Sequence, residues 1–137
     1  MSRKKRVLIL CSGNSCRSQM AEGFWRHFGA PAWDVFSAGL EPKGVHPLAV
    51  RAMREIGIEI GAQTSDSLDE YIDEAFDLVV TVCGNADARC PSLPNVANKE
   101  HWPFDDPAGA VGDDERRMAL FRRVRDAIGE RIRARLD

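Results

Sequence analysis

Apolar residues change their period several times along the chain, and each change marks an element. Val7–Cys11 is a continuous apolar run rich in branched residues, the pattern of a strand buried on both faces. Ser12-Gly13-Asn14-Ser15 interrupts it, and from about Arg17 a helical period begins, with Met20, Phe24 and Phe28 four residues apart and Ala21 and Trp25 beside them. Gly29 and Pro31 end that helix. Trp33–Ala38 alternates as a second strand closed by Gly39. Pro47 suits the first turn of a helix whose apolar face is Leu48, Ala52, Met53 and Ile56, stopped by Gly57. The pattern next predicts a short helix between about Leu68 and Ala75, a strand over Phe76–Val82 and a short final strand within Asn95–Trp102. The last helix, from about Asp113 to Leu136, keeps Met118, Phe121, Val124, Ile128, Ile132 and Leu136 at helical spacing. Its acidic start and its Arg131, Arg133 and Arg135 end suit the helix dipole.

Strands alternating with helices predict an α/β fold: a single domain over residues 1–137 in three layers, a four-stranded parallel sheet with helices on both faces. In such sheets ligands sit beyond the carboxyl ends of the strands, where the strand order reverses. Cys11 and Cys83 both stand at the carboxyl end of a predicted strand, so both should open onto the same end of the sheet.

Composition narrows the function classes. Nineteen Lys+Arg against 21 Asp+Glu give a formal charge of −2, which argues against a nucleic-acid binder or a polybasic membrane binder. No apolar run approaches the roughly 20 residues of a membrane span. Arg3-Lys4-Lys5-Arg6 imitates the start of a signal peptide, but the apolar stretch of at least about 7 residues that should follow is missing. A cytoplasmic location is expected. There, four cysteines at 11, 16, 83 and 90 are read as redox, catalytic or metal-binding groups rather than as a disulfide scaffold. His27, His46 and His101 stand at none of the spacings that zinc sites use.

The chemistry concentrates in Cys11-Ser12-Gly13-Asn14-Ser15-Cys16-Arg17-Ser18, a Cys-x5-Arg-Ser loop between a strand and a helix. Five residues suffice to curl the backbone so that successive N–H groups face a tetrahedral anion. Gly13 and Asn14 are residue types that tolerate the left-handed backbone such a curl demands. The helix that follows presents its positive end, Arg17 can clamp two oxygens, and Ser18 can hydrogen-bond the Cys11 sulfur. Together these groups favour the thiolate, the nucleophilic form of cysteine.

The loop and its continuation Gln19-Met20-Ala21-Glu22-Gly23 resemble the low-molecular-weight protein tyrosine phosphatases, and more closely the thioredoxin-recycled arsenate reductases built on that fold. The resemblance extends through Ser37-Ala38-Gly39, Thr64-Ser65-Asp66, Asp77–Cys83, Cys90-Pro91 and Glu100–Gly109; Ser12 stands where the family commonly has threonine. It implies that Asp106, directly before Pro107, is the general acid, rather than Asp105. It implies a relay in which Cys11 binds arsenate, Cys83 attacks Cys11, and Cys90 then takes the bridge as Cys83–Cys90. Cys16 is not an essential redox group in this scheme. Asn14, Glu22, Thr64 and Asp66 match oxygen ligands that can hold a potassium ion, and no organic cofactor is implied. The partners implied are arsenate and thioredoxin with its reductase, for a monomer without nucleic acid or membrane.

Geometry adds one expectation to this resemblance. Seven residues along a helix span about 10 Å, whereas a disulfide needs Cα atoms within roughly 7 Å. A helix between Cys83 and Cys90 must therefore open if the two are to bond. A phosphatase of the same fold would share Cys11, Arg17 and Asp106 without needing Cys83 or Cys90. Tyrosine phosphatases of this fold typically place two tyrosines after the Asp-Pro; here Ala108-Gly109 follow, and Tyr71 is the chain's one tyrosine. A thiol sensor without turnover would have no use for a general acid.

Overall fold

A computed structural model describes residues 4–136; Arg3 of the basic run, and the two ends of the expected domain, lie outside it. Its elements in order are β1 (Lys5–Cys11), α1 (Arg17–Gly29), β2 (Trp33–Gly39), α2 (Pro47–Arg54), a 3-10 turn at Leu68–Glu70, β3 (Phe76–Thr81), α3 (Gly84–Arg89), β4 (Val96–His101), a second 3-10 turn at Pro107–Gly109, and α4 (Asp114–Leu136). The four strands form one parallel sheet in the order β2-β1-β3-β4. The chain thus leaves β1 in one direction to make β2, and in the opposite direction to make β3 and β4. Right-handed crossovers then put α1 and α3 on opposite faces of the sheet. The strand order reverses at β1, so the loop after Cys11 stands where an open α/β sheet binds its ligand.

Burial explains the sequence pattern. Val7, Leu8, Ile9 and Leu10 are 0–2% exposed, as a central strand covered on both faces requires. Met20, Phe24 and Trp25 of α1 are buried, and Trp25 stacks on Trp102 with ring centroids 5.8 Å apart. Phe28, expected on the same face, is instead 37% exposed in the last turn of α1, where α4 sets the charged Arg133 guanidinium over its ring. The expected helix over Leu68–Ala75 shrinks to the 3-10 turn, although Ser67 and Glu70 do form a capping box. Beyond that turn the Tyr71 side chain packs on Phe36 and Phe76 and its hydroxyl donates to Asp66. These contacts draw the chain onto the sheet rather than around another helical turn.

Candidate active site

The loop between β1 and α1 is held by its carbonyls. Ser12, Gly13 and Ser15 accept backbone hydrogen bonds from Glu41, Lys43 and His46 at 2.9, 2.9 and 3.0 Å. Carbonyls bound on the outside of a curled loop leave the N–H groups for its inside, which is the arrangement an anion needs. Asn14, not Gly13, supplies the left-handed residue, at φ 46°. Its fully buried side chain is the loop's central brace: Nδ2 donates to Ser18 Oγ (2.8 Å) and Ser37 Oγ (2.9 Å), and Oδ1 accepts from the Asp66 N–H (2.8 Å). The close approach of β2 to the loop requires Gly39, where a Cβ would sit 2.8 Å from both the Asn14 nitrogen and the Ser12 oxygen.

Cys11 is 3% exposed, with its sulfur 3.0 Å from Ser18 Oγ. Because Ser18 Oγ already accepts from Asn14, its own proton is free to go to the sulfur. The second loop cysteine differs: burial pushes the Cys16 thiol up to about 12, so it stays protonated at neutral pH. Arg17 donates to the Phe104 carbonyl at 3.1 Å, and its guanidinium lies 3.6 Å from Asp106. Asp106 caps the Pro107–Gly109 turn, accepting from Ala108 N–H at 2.9 Å. Cys11, Arg17 and Asp106 line one cavity of about 340 Å³ together with Ser12, Gly13, Ser15 and Cys16. Asp105 instead faces a separate depression beside Phe104 and Arg123. Lys43, His46 and Ala108 complete the first cavity; among the described residues its one ring is the His46 imidazole, and no Phe, Tyr or Trp lines it. Lys43 and His46 were invisible as site residues in the sequence. His46 stands directly before Pro47 and caps α2 through Nδ1 (3.1 Å to Leu48 N–H), a capping position but not a sign of a binding site.

The other two cysteines sit at the two ends of α3. Cys83 is its N-cap, with the sulfur accepting from Ala86 N–H at 3.3 Å. Ser12 Oγ accepts from Asn85 Nδ2 at 2.7 Å and so directs its own proton to Cys83 Sγ, 3.4 Å away. The residue after Cys11 therefore touches the Cys83 sulfur. Cys90 is the C-cap, half-buried, and burial raises its thiol while nearby Lys99 opposes the shift. All four cysteines are free thiols, so the structure is the reduced form.

The four residues matched to a potassium site surround the same brace. Glu22 is 5% exposed, accepts from Ser37 Oγ at 2.5 Å and from Arg26 at 3.0 Å, and its carboxyl is raised by burial, with the charge of Asp66 adding to the shift. Thr64 Oγ1 donates to Asp66 at 3.2 Å, while the Thr64 and Asn14 carbonyls both accept from Gln19. Glu22, Asp66 and Thr64 thus bring carboxylate and hydroxyl oxygens close to Asn14, the oxygen ligand type that hard cations take.

A family model for low molecular weight phosphotyrosine protein phosphatase matches residues 6–136. An arsenate reductase of Halalkalibacterium halodurans is 55% identical over 130 residues, covering 95% of this chain and 94% of that protein. The solved structure of an arsenate reductase in its oxidized state superposes with a TM-score of 0.83 at 36% identity, covering 97% of this chain and 99% of the other. A thioredoxin-dependent arsenate reductase of Corynebacterium glutamicum superposes at 0.71 with 28% identity, covering 97% of this chain and 60% of that one. The chain belongs to the low molecular weight phosphotyrosine protein phosphatase family, on the branch whose members are arsenate reductases.

Proposed function

We propose that this protein reduces arsenate to arsenite through a three-cysteine relay recycled by thioredoxin. The observation that carries the relay is the hydrogen bond from Ser12 to Cys83, which ties a second thiol to the loop that presents the first. Arsenate docks against the loop N–H groups and Arg17. The Cys11 thiolate attacks arsenic, and Asp106 protonates the departing oxygen, which leaves as water. The Cys83 thiolate next attacks the Cys11 sulfur: an S–S bond forms, the S–As bond breaks, and its electron pair reduces As(V) to As(III), released as arsenite. Cys90 then attacks Cys83, forming Cys83–Cys90 and returning Cys11 as thiolate. A thioredoxin dithiol reduces that last bridge. Cys83 at a helix N-terminus with two hydrogen bonds to its sulfur suits the attacking thiolate.

The same reading takes residues 1–137 as one domain acting as a monomer in the cytoplasm, with thioredoxin reductase maintaining the thioredoxin pool. No organic cofactor is used. A potassium ion held by Asn14, Glu22, Thr64 and Asp66 would offset the two carboxylates and stiffen the brace behind the loop. The shared fold and cavity also support slow hydrolysis of phosphate monoesters at Cys11, as in the wider family. With no Phe, Tyr or Trp along the cavity among the described residues, a phosphotyrosine ring gains little there. Arsenate-dependent NADPH oxidation with thioredoxin and thioredoxin reductase, with an aryl phosphate run in parallel, tests the reading. Fast NADPH consumption beside slow ester hydrolysis supports it; the reverse ranking makes the protein a phosphatase.

A further inference from the structure

The relay leaves one polar cluster unexplained, and it sits on the segment that must move. Thr81 and His101 are register partners at the carboxyl ends of β3 and β4. His101 Nδ1 lies 3.2 Å from the Thr81 carbonyl oxygen and 2.8 Å from Thr81 Oγ1. A carbonyl only accepts, so Nδ1 carries the proton and donates. The fully buried Thr81 hydroxyl then sends its own proton to Asp87 Oδ1 in α3, at 3.0 Å. Lys99 Nζ adds its charge 3.7 Å from the same oxygen. Hydrogen bonds in series strengthen one another, and a carboxylate at the end of the series is the best acceptor for it.

Apart from the Asn85–Ser12 hydrogen bond to the anion loop, little else anchors the body of α3, in which Ala86 is the one buried residue. The clasp is therefore the main tether between this helix and the strands beneath it. As a helix, the segment keeps the two cysteines too far apart to bond, at about 10 Å along the axis. The clasp thus belongs to the dithiol state, and forming the bridge has to give it up.

Building on the relay proposed above, we propose that Asp87 is a positioning residue for it. Clasped by Thr81, His101 and Lys99, it holds the Cys83–Cys90 segment helical in the dithiol state and so sets how readily the two sulfurs join. Loss of the clasp removes stabilisation from the dithiol alone and shifts the couple toward the disulfide.

The test is the thiol–disulfide equilibrium of the full chain carrying Cys11→Ser and Cys16→Ser, which leaves a single dithiol. In glutathione buffers the balanced reaction is dithiol plus glutathione disulfide giving the Cys83–Cys90 bridge plus two glutathione thiols, read by mass spectrometry. Thr81→Val removes the buried hydroxyl that joins His101 to Asp87 without touching the helix, and should raise the equilibrium constant for bridge formation about five- to tenfold, or roughly 20–30 mV. Asp87→Ala should shift it the same way in spite of the higher helix propensity of alanine; because Asp87 also stands in the first turn of α3, where a carboxylate favours the helix, Thr81→Val is the variant that isolates the clasp. Asp87→Asn, which keeps an acceptor for Thr81, should restore most of the native value. The double variant Thr81→Val, Asp87→Ala should shift no further than Asp87→Ala alone. An equilibrium within twofold of the parent in Thr81→Val, or an Asp87→Ala shift toward the dithiol, overturns the proposal. This readout needs no arsenate, so it stays separate from any failure of the relay itself.

Discussion

Replacing Asn14 with alanine removes the brace of the anion loop while leaving every residue of the proposed chemistry in place. Three side-chain hydrogen bonds are lost, to Ser18, to Ser37 and from Asp66 N–H. At about 1 kcal/mol net each, they amount to about 3 kcal/mol. Alanine must also keep φ near 46°, a left-handed conformation that adds about 1 kcal/mol. The expected loss of about 4 kcal/mol stays below a typical domain stability of about 5–15 kcal/mol, so the variant should still fold, though markedly less stably. Asn14→Gly loses the same bonds without the backbone strain, and should be the more stable of the two by about 1 kcal/mol. Urea unfolding at 25 °C measures both. Phosphate, used as a substrate mimic, should bind each variant more weakly than the native chain, because Ser18 loses the bond that aims its proton at Cys11. A loss under about 1 kcal/mol in Asn14→Ala, or phosphate binding at native strength, would refute the brace.

Asp106→Asn should lower kcat about 10²–10⁴-fold for both arsenate and aryl phosphate, since it removes the proposed proton donor; Asp105→Asn should leave kcat near native, and equal losses would reassign the acid. Thiol mapping with iodoacetamide at mildly acidic pH should label Cys11 first, phosphate should protect it, and Cys16, pushed up to about 12, should stay unlabelled; equal rates at both would contradict the loop electrostatics. For Glu22 the carboxyl is raised above 4.5 chiefly by burial, so its contribution to stability is present below 4.5 and is lost as pH rises through the folded value. Glu22→Gln should therefore gain on the native chain from pH 4.5 upward, and KCl in place of NaCl should stabilise the native chain but not this variant. A pH-independent difference would refute the first statement, and equal salt responses the second.

The anion loop was legible because its chemistry is contiguous: Cys11, Arg17 and Ser18 lie within eight residues of sequence, between two strongly patterned elements. The four strands and the long helix were legible for the same local reason, with α4 beginning at Asp114 and β3 ending at Thr81, each within one residue of expectation. What the sequence could not show is assembled across distance. Lys43 and His46 enter the cavity because their backbone N–H groups bind loop carbonyls some 30 residues earlier. Ser37 reaches both Asn14 and Glu22 only because β2 lies beside β1. Asn14 rather than Gly13 takes the left-handed conformation because its side chain finds three partners there, which glycine could not use. The segment 68–75 failed as a helix because contacts of Tyr71 with the sheet outweighed a well-formed local cap.

The relay is tested most directly by stopping it halfway. Reduced Cys90→Ser protein mixed with excess arsenate, without thioredoxin, should release one equivalent of arsenite and accumulate a Cys11–Cys83 disulfide, found by peptide mass spectrometry after acid quench. The native chain under the same conditions should end with Cys83–Cys90 bridged and Cys11 free to be alkylated. Continued arsenite release by Cys90→Ser on adding thioredoxin, at the native rate and without the trapped Cys11–Cys83 bridge, would contradict the account.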